Sequence, residues 1–411
     1  MNQVVERVWI LLQEPEGPLV PYLDSFAKSL EEQGFKRRVI GQKLRVAAGF
    51  SKWLQGGGVA ARDVTDAHVE RFFACPARER SVQRGEFAAL RRLLELLGQL
   101  GVVCPLTEHA EATPIQQAVG AFADYLRHER ALSDKTLTQY CPFIERFLCE
   151  RFGHGPVEFA ALHAEDVIGF VTRQAAHLSP ARAKAATKAL RSFFRYLRHC
   201  GEIELDLAAA VPTVPNWSMT GIPRAIAPEH VQAVFAHCPR DTQVGRRDYA
   251  ILMLLARLGL RSGEIVALTL DSIDWEAGSI AVAGKGDRAT SLPLPVDVGE
   301  AIADYLCHGR PESSSRALFL RVCAPIRGLG AGQSVATIVG AAIRRAGIET
   351  RHRGTHQFRH ALATDMLRHG ATLSEIGSVL RHRHAKTTGI YAKVDFASLR
   401  PLGLPWPGGA K

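Results

Sequence analysis

HQFRHALATDMLRHGATLSEIGSVLRHRHAKTTGIY, residues 356–391, decides how the C-terminal part of this chain is read. Gly370 is a helix stop and Thr372-Leu-Ser-Glu375 a capping box, so the stretch predicts helices over 356–369, 373–381 and 385–393. Those helices carry His356-x-x-Arg359, then His382, then Tyr391 nine residues on. Polar groups in that arrangement suit attack by a tyrosine on a phosphodiester.

Upstream, helical patterns cover 228–237 and 245–257, and Gly259 ends the second before Leu260-Arg261-Ser262-Gly263-Glu264 opens another. Three strand-like runs follow, near Ser272–Trp275, Ser279–Ala283 and Thr290–Leu294, joined by Glu-Ala-Gly and by Gly284-Lys285-Gly286-Asp287. Such turns predict a small antiparallel sheet. Helices resume at 296–307 and 334–346. The expected class is mainly α with one small antiparallel β-sheet in the C-terminal domain.

A tyrosine hydroxyl that attacks phosphorus must lose a proton held with a pKa of about 10, so a proton acceptor must stand nearby. Negative charge grows on the non-bridging oxygens in the transition state, and two guanidinium groups on separate elements neutralise it best. The departing oxygen needs a proton, which Lys285 between two glycines can supply. Taken singly, each residue has a plain reading: Arg261 as a surface ion pair, Lys285 as an exposed turn residue, His356 and Arg359 as a helix-surface pair, His382 as part of a basic cluster, Tyr391 as a core aromatic. Their conjunction, in order, on elements of the expected kind, is what favours chemistry.

The first half of the chain contains a repeat. Residues 86–103 overlay 186–203 at an offset of 100, with Ala89, Leu90, Arg91, Leu93, Leu94 and Leu97 facing Ala189, Leu190, Arg191, Phe193, Phe194 and Leu197. Phe50–Leu54 similarly resembles Ile144–Leu148, so each copy reads as a bundle of about four helices. In the second copy Lys184, Lys188, Arg191, Arg195 and Arg198 share one helical face and form a candidate DNA-binding stripe, with a solvated charged face as the alternative. The first copy is diluted there and either uses Lys36, Arg37, Arg38, Lys43 and Arg45 or contacts protein.

The net charge of +10 is concentrated in residues 221–411, with 24 Lys+Arg against 16 Asp+Glu, which directs a polyanion partner to that half. Eight scattered cysteines without a Cys-x-x-Cys pair read as reduced core residues, and no His/Asp/Glu set has dependable metal spacing. The N-terminal apolar run is too short and too acidic for a secretion signal, and no uncharged run is long enough to span a bilayer. A soluble, cytoplasmic protein is expected.

Arg261 in Ala-Arg-Leu-Gly-Leu-Arg-Ser-Gly-Glu-Ile, Lys285 on a hairpin turn, His356-Gln-Phe-Arg359-His and Leu380-Arg-His382-Arg-His-Ala-Lys-Thr-Thr-Gly-Ile-Tyr391 together resemble the motif boxes of the tyrosine recombinases, the phage integrase family. The resemblance implies a helical core-binding, SAM-like DNA-binding module at 106–207. The repeat adds an extra N-terminal helical module at 1–105, read as a duplicate of it and without counterpart in the simplest family members, so two helical SAM-like modules are expected. After them come a linker at 208–224, a catalytic domain at 225–400 and a short tail at 401–411. It implies that Arg261 and Arg359 clamp the scissile phosphate, Lys285 is the general acid, Tyr391 the nucleophile, His356 accepts or relays the tyrosine proton, and His382 bonds the phosphate oxygens. Glu264 matches a family position that supports structure. Arg381 stands where the family usually has glycine, and with Arg383 it joins the candidate DNA contacts. The implied activity is site-specific cleavage and rejoining of double-stranded DNA through a 3′-phosphotyrosyl link, without cofactor or metal, serving a mobile element. The implied assembly is a homo- or hetero-tetramer on DNA, with sister recombinases as possible partners. A type IB topoisomerase-like relaxation activity and a non-catalytic DNA-binding accessory protein are the alternatives.

Overall fold

A computed structural model describes residues 14–75, 85–103, 113–153, 155–214, 225–284, 289–350 and 354–394. The chain divides into two compact units, one made of residues 1–105 with 221–411, the other of residues 106–220.

The first module is built from α1 (Leu23–Glu32), α2 (Arg37–Gly56), α3 (Asp66–Ala74) and α4 (Glu86–Gln99). The second is built from α5 (Pro114–His128), α6 (Asp134–Phe152), α7 (Ala164–His177) and α8 (Pro180–His199), followed by a single turn, α9 (Leu207–Ala210). Thr113 and Gln116 form a capping box at the start of α5, and Pro180 opens α8 at the helix position where its missing N–H costs nothing. The paired positions of the repeat do the same work in both copies. Ala89, Leu90, Leu93 and Leu97 are buried in the first core, as are Ala189, Leu190, Phe193 and Leu197 in the second. Each such leucine or phenylalanine contributes about 1.5–3 kcal/mol by leaving water, so the shared spacing is a shared core.

The first module meets the C-terminal domain at the end of α1. The Ile326 backbone N–H donates to the Gln33 carbonyl at 2.9 Å. Gly34 next to it has φ +80, and a Cβ there would lie 2.6 Å from Ile326 Cγ1, so both backbone angle and space require glycine.

In the C-terminal domain, α10 (Pro228–Ala236) precedes α11 (Gln243–Arg257), whose run Ala250–Leu255 is buried throughout. A helix apolar on all sides must be surrounded, and α11 is the spine of this domain. After α12 (Ser262–Ala267) come β1 (Ile273–Asp274), β2 (Ser279–Ala283) and β3 (Ala289–Pro293), an antiparallel sheet in the order β1-β2-β3 with Ile280 opposite Ile273 and Leu292. The register closes at Ala283 opposite Ala289; Lys285, between them, lies outside the described residues. Next come α13 (Val296–His308), α14 (Gly332–Arg345), α15 (His356–Arg368), α16 (Leu373–Val379) and α17 (Ala385–Thr388).

Two of the expected helices are shorter than their patterns. The helix expected over 385–393 is α-helical only to Thr388, then tightens into a 3-10 turn over Gly389–Val394, where threonine and glycine weaken helix propagation. The one expected over 373–381 ends at Val379 in a left-handed turn described below.

Candidate active site

The site starts where α11 ends. Gly259 takes φ +56, and a Cβ on it would lie 2.9 Å from Leu380 Cδ2 and 3.0 Å from Leu362 Cδ2. The chain can therefore turn tightly there and bring Arg261 to the N-cap of α12. Glu264, at the third position of α12, accepts the Arg261 backbone N–H at 2.8 Å and the Arg261 guanidinium at 2.6 Å. Its other guanidinium partner is Arg381, at 3.0 Å, with both side chains about nine-tenths buried. Burial pushes the Glu264 carboxyl up, but the Arg261 N–H and the Arg381 and Arg261 guanidiniums outweigh it and hold the group below the usual carboxylate range.

Arg381 reaches Glu264 from an unusual backbone. After α16, the Arg381 N–H bonds the Ser378 carbonyl at 3.0 Å and the His382 N–H bonds the Gly377 carbonyl at 2.9 Å, the two bonds of a Schellman ending. That ending needs a left-handed residue, ordinarily glycine, and Arg381 fills it with φ +54. The motif sets the direction of His382, and the arginine accepts strain of about 1–2 kcal/mol to keep a guanidinium on Glu264. Both Arg381→Gly and Arg381→Ala lose that ion pair, but only alanine retains the strain. Arg381→Gly is therefore expected to be more stable than Arg381→Ala by about 1 kcal/mol in urea unfolding; equal stabilities would remove the strain from the account.

Arg359, one turn into α15, is 3% exposed. Its Nη1 donates to the Gly259 carbonyl at 2.5 Å and its Nη2 to the Leu380 carbonyl, so one side chain joins the ends of α11 and α16. Burial, with Arg261 and Arg381 close by, lowers its pKa to about 10, which leaves it cationic at neutral pH.

Tyr391 is 1% exposed, in a small core with Ala363, Ile376 and Leu380. Its hydroxyl lies 2.9 Å from Nδ1 of His360, with the rings edge to face. On the other side the His382 ring runs parallel to it at 6.4 Å, with Nδ1 2.8 Å from the hydroxyl of buried Thr388. Burial raises the Tyr391 pKa, and the charges of Arg359 and Arg261 act against that rise. His356 is at the exposed edge, its ring 6.3 Å from that of His360. Folding thus gathers Arg261, Arg359, His382 and Tyr391, with His356 at the rim. The imidazole on the tyrosine hydroxyl is His360 rather than His356. Sequence reasoning assigned His360 no role, and its only signal was its place beside Arg359, one helical turn after His356.

Three imidazoles of this site are held below their ordinary value. Burial acts first on each; Arg359 and Arg261 add to it at His356, His356 and Arg359 at His360, and Arg359, Arg261, His360 and Arg381 at His382, which falls to about 4. The unfolded chain therefore binds more protons than the folded one below about pH 6.5, and the stability these groups contribute is complete above that value and declines as pH falls through it. The domain should melt at lower temperature on acidification from about pH 7.5 to 5, and His382→Phe should reduce the drop; an unchanged slope in that variant would exclude His382 as a source.

Residues 224–398 match the family model described as "Phage integrase family", and residues 119–201 match "Phage integrase, N-terminal SAM-like domain". A Sinorhizobium fredii protein named as an integrase/recombinase, y4rA, is 46% identical over all of both chains. The tyrosine recombinase XerC of Azotobacter vinelandii is 31% identical over 69% of this chain and 94% of its own. The chain belongs to the tyrosine recombinases of the phage integrase family.

This recombinase is thus an enzyme of site-specific DNA recombination that breaks and rejoins DNA strands. Its fold is shared with XerH bound to difH substrate in a post-cleavage complex, at TM-score 0.56 and 18% identity over 82% of this chain and 93% of that one. A lambda integrase dimer on a core site has TM-score 0.52 at 14% identity, covering 66% of the recombinase and 96% of that chain. In its SAM-like module, Lys184, Lys188, Arg195 and Arg198 are exposed along α8, while half-buried Arg191 donates to the Val211 and Pro212 carbonyls. Arg198 pairs with Asp206 at 3.2 Å, and a cleft of about 610 Å³ opens beside Arg191, Arg195 and Arg198. Arg383 is exposed, whereas Arg381 is turned onto Glu264. Among the described residues no helix is long and apolar enough to cross a membrane, and no cluster of three or more metal-ligating side chains occurs.

Proposed function

We propose that Tyr391 cuts one DNA strand to a 3′-phosphotyrosyl link and that a 5′ hydroxyl of the partner duplex reverses the attack. The observation that carries this reading is the setting of the Tyr391 hydroxyl, hydrogen-bonded by an imidazole and under the charges of Arg359 and Arg261. A phosphodiester seated there meets two guanidiniums on separate elements, which neutralise charge as it grows on the non-bridging oxygens. In the tautomer where the Thr388 hydroxyl, 2.8 Å away, donates to Nδ1 of His382, Nε2 carries the ring proton and offers it to a phosphate oxygen. Glu264 positions Arg261 by holding both its backbone and its guanidinium. Lys285 is assigned the leaving 5′ oxygen from its place in Gly-Lys-Gly-Asp between β2 and β3. His356, at the rim, relays protons to solvent.

The exposed basic side chains Lys184, Lys188, Arg195, Arg198 and Arg383 hold the duplex backbone, while Arg191 and Arg381, bonded within the protein to backbone carbonyls and to Glu264, support that surface from behind. The recombinase acts in the cytoplasm as a tetramer on DNA and serves a mobile element. Integrase-named relatives support that role, and the fold shared with a lambda integrase tetramer on a Holliday junction, at TM-score 0.52, supports the assembly. The test is covalent trapping. Random DNA is selected for binding to the full chain, and the recovered duplex, nicked at successive positions, is incubated with wild type and Tyr391→Phe. A denaturation-resistant complex is expected with wild type alone.

A further inference from the structure

Resting on that reading, we propose that His360 is a catalytic residue: its Nδ1 takes the proton of the Tyr391 hydroxyl as that oxygen attacks phosphorus, and returns it when the strand is rejoined. Geometry comes first in choosing a base, and the 2.9 Å contact already lies in the range for proton transfer. The other imidazoles are placed differently. His382 presents its ring face to Tyr391 and has its Nδ1 on Thr388, and the ring contact of His356 is with His360, at 6.3 Å.

His360 is fixed for this task by α15. It follows Arg359, whose two carbonyl bonds pin that turn of the helix, and its ring meets Tyr391 edge to face at 62°. The groups facing it are His356 and Arg359 from its own helix and Tyr391 and His382 from the segment after α16. Burial and the charges of His356 and Arg359 keep the imidazole neutral, so it enters the reaction as an acceptor. A phosphodiester bound by Arg359 and Arg261 brings negative charge that opposes theirs and favours the imidazolium at the moment of attack.

The step balances. The Tyr391 O–H bond breaks, its proton passes to His360 Nδ1, the O–P bond forms, and the P–O5′ bond breaks with the leaving oxygen taking a proton from the general acid assigned to Lys285. In rejoining, the 5′ hydroxyl gives its proton back to that group, and the tyrosine oxygen recovers its own from His360.

Asparagine at 360 keeps a hydrogen-bond acceptor but cannot hold a proton. On the trapped duplex, His360→Asn is expected to slow formation of the covalent complex about a hundredfold and to remove the fall in rate that wild type shows on acidification below about pH 6.5. Fluorotyrosine at position 391 lowers the phenol pKa and so the need for a base, and it should recover tenfold or more of the loss. A purely structural role would not respond to the phenol's acidity. A His360→Asn rate within threefold of wild type, or a loss that fluorotyrosine does not relieve, overturns the proposal. Should His360→Asn lose its folded transition, His360→Gln carries the same comparison. Loss of the wild-type complex, or its retention in Tyr391→Phe, would instead overturn the reading of Tyr391 as nucleophile, and the proposal with it.

Discussion

Arg359→Ala is expected to slow strand cleavage by at least about 10²–10³-fold, the cost of one well-placed donor to a developing oxyanion. Arg359→Lys should be nearly as impaired, because a single ammonium cannot bond two carbonyls and a phosphate in one plane. The same side chain is structural. It holds the Gly259 and Leu380 carbonyls, so its removal leaves two buried acceptors without a donor and opens a void between α11 and α16. Each orphaned carbonyl costs about 1–3 kcal/mol, partly offset because a buried cation has also been removed. Loss of about 2–4 kcal/mol in urea unfolding should therefore accompany the kinetic defect. Single-turnover cleavage and unfolding of the same preparations separate the two effects: at temperatures where both proteins are fully folded, the rate deficit should persist. Cleavage within tenfold of wild type under those conditions would take Arg359 out of the clamp.

The local elements of this site were more legible in the sequence than its wiring. Residue types and local signals were legible: Gly259 as a helix stop, Thr372 and Glu375 as a capping box, the β2–β3 hairpin, and four helices in each module are all present in the fold. These features are decided within a few residues, by turn geometry and apolar spacing. The bond between His360 and Tyr391 spans 31 residues, and that between Arg381 and Glu264 spans 117. No local rule sets such contacts, because they depend on how α15 and the turn after α16 meet. Arg381 shows the limit most clearly. The sequence shows there a departure from glycine and a charge suited to DNA, whereas the contact with a carboxylate follows from its left-handed backbone.

Tyr391 is the second residue whose loss should have a very large effect, since in the proposed mechanism its phenol oxygen forms the bond that conserves the phosphodiester energy. Phenylalanine removes that oxygen and the hydrogen bond to His360 while leaving the ring in its small core with Ala363, Ile376 and Leu380. The variant should therefore stay folded, bind DNA and form no covalent complex. An aromatic of similar volume keeps the packing, so a loss confined to chemistry is expected.

The most direct measurement is mass-spectrometric mapping of the protein–DNA adduct after protease and nuclease digestion of the trapped complex. The account predicts a nucleotide joined through its 3′ phosphate to the peptide carrying Tyr391, and no adduct from Tyr391→Phe. An adduct on any other residue, or one joined through a 5′ phosphate, would contradict it.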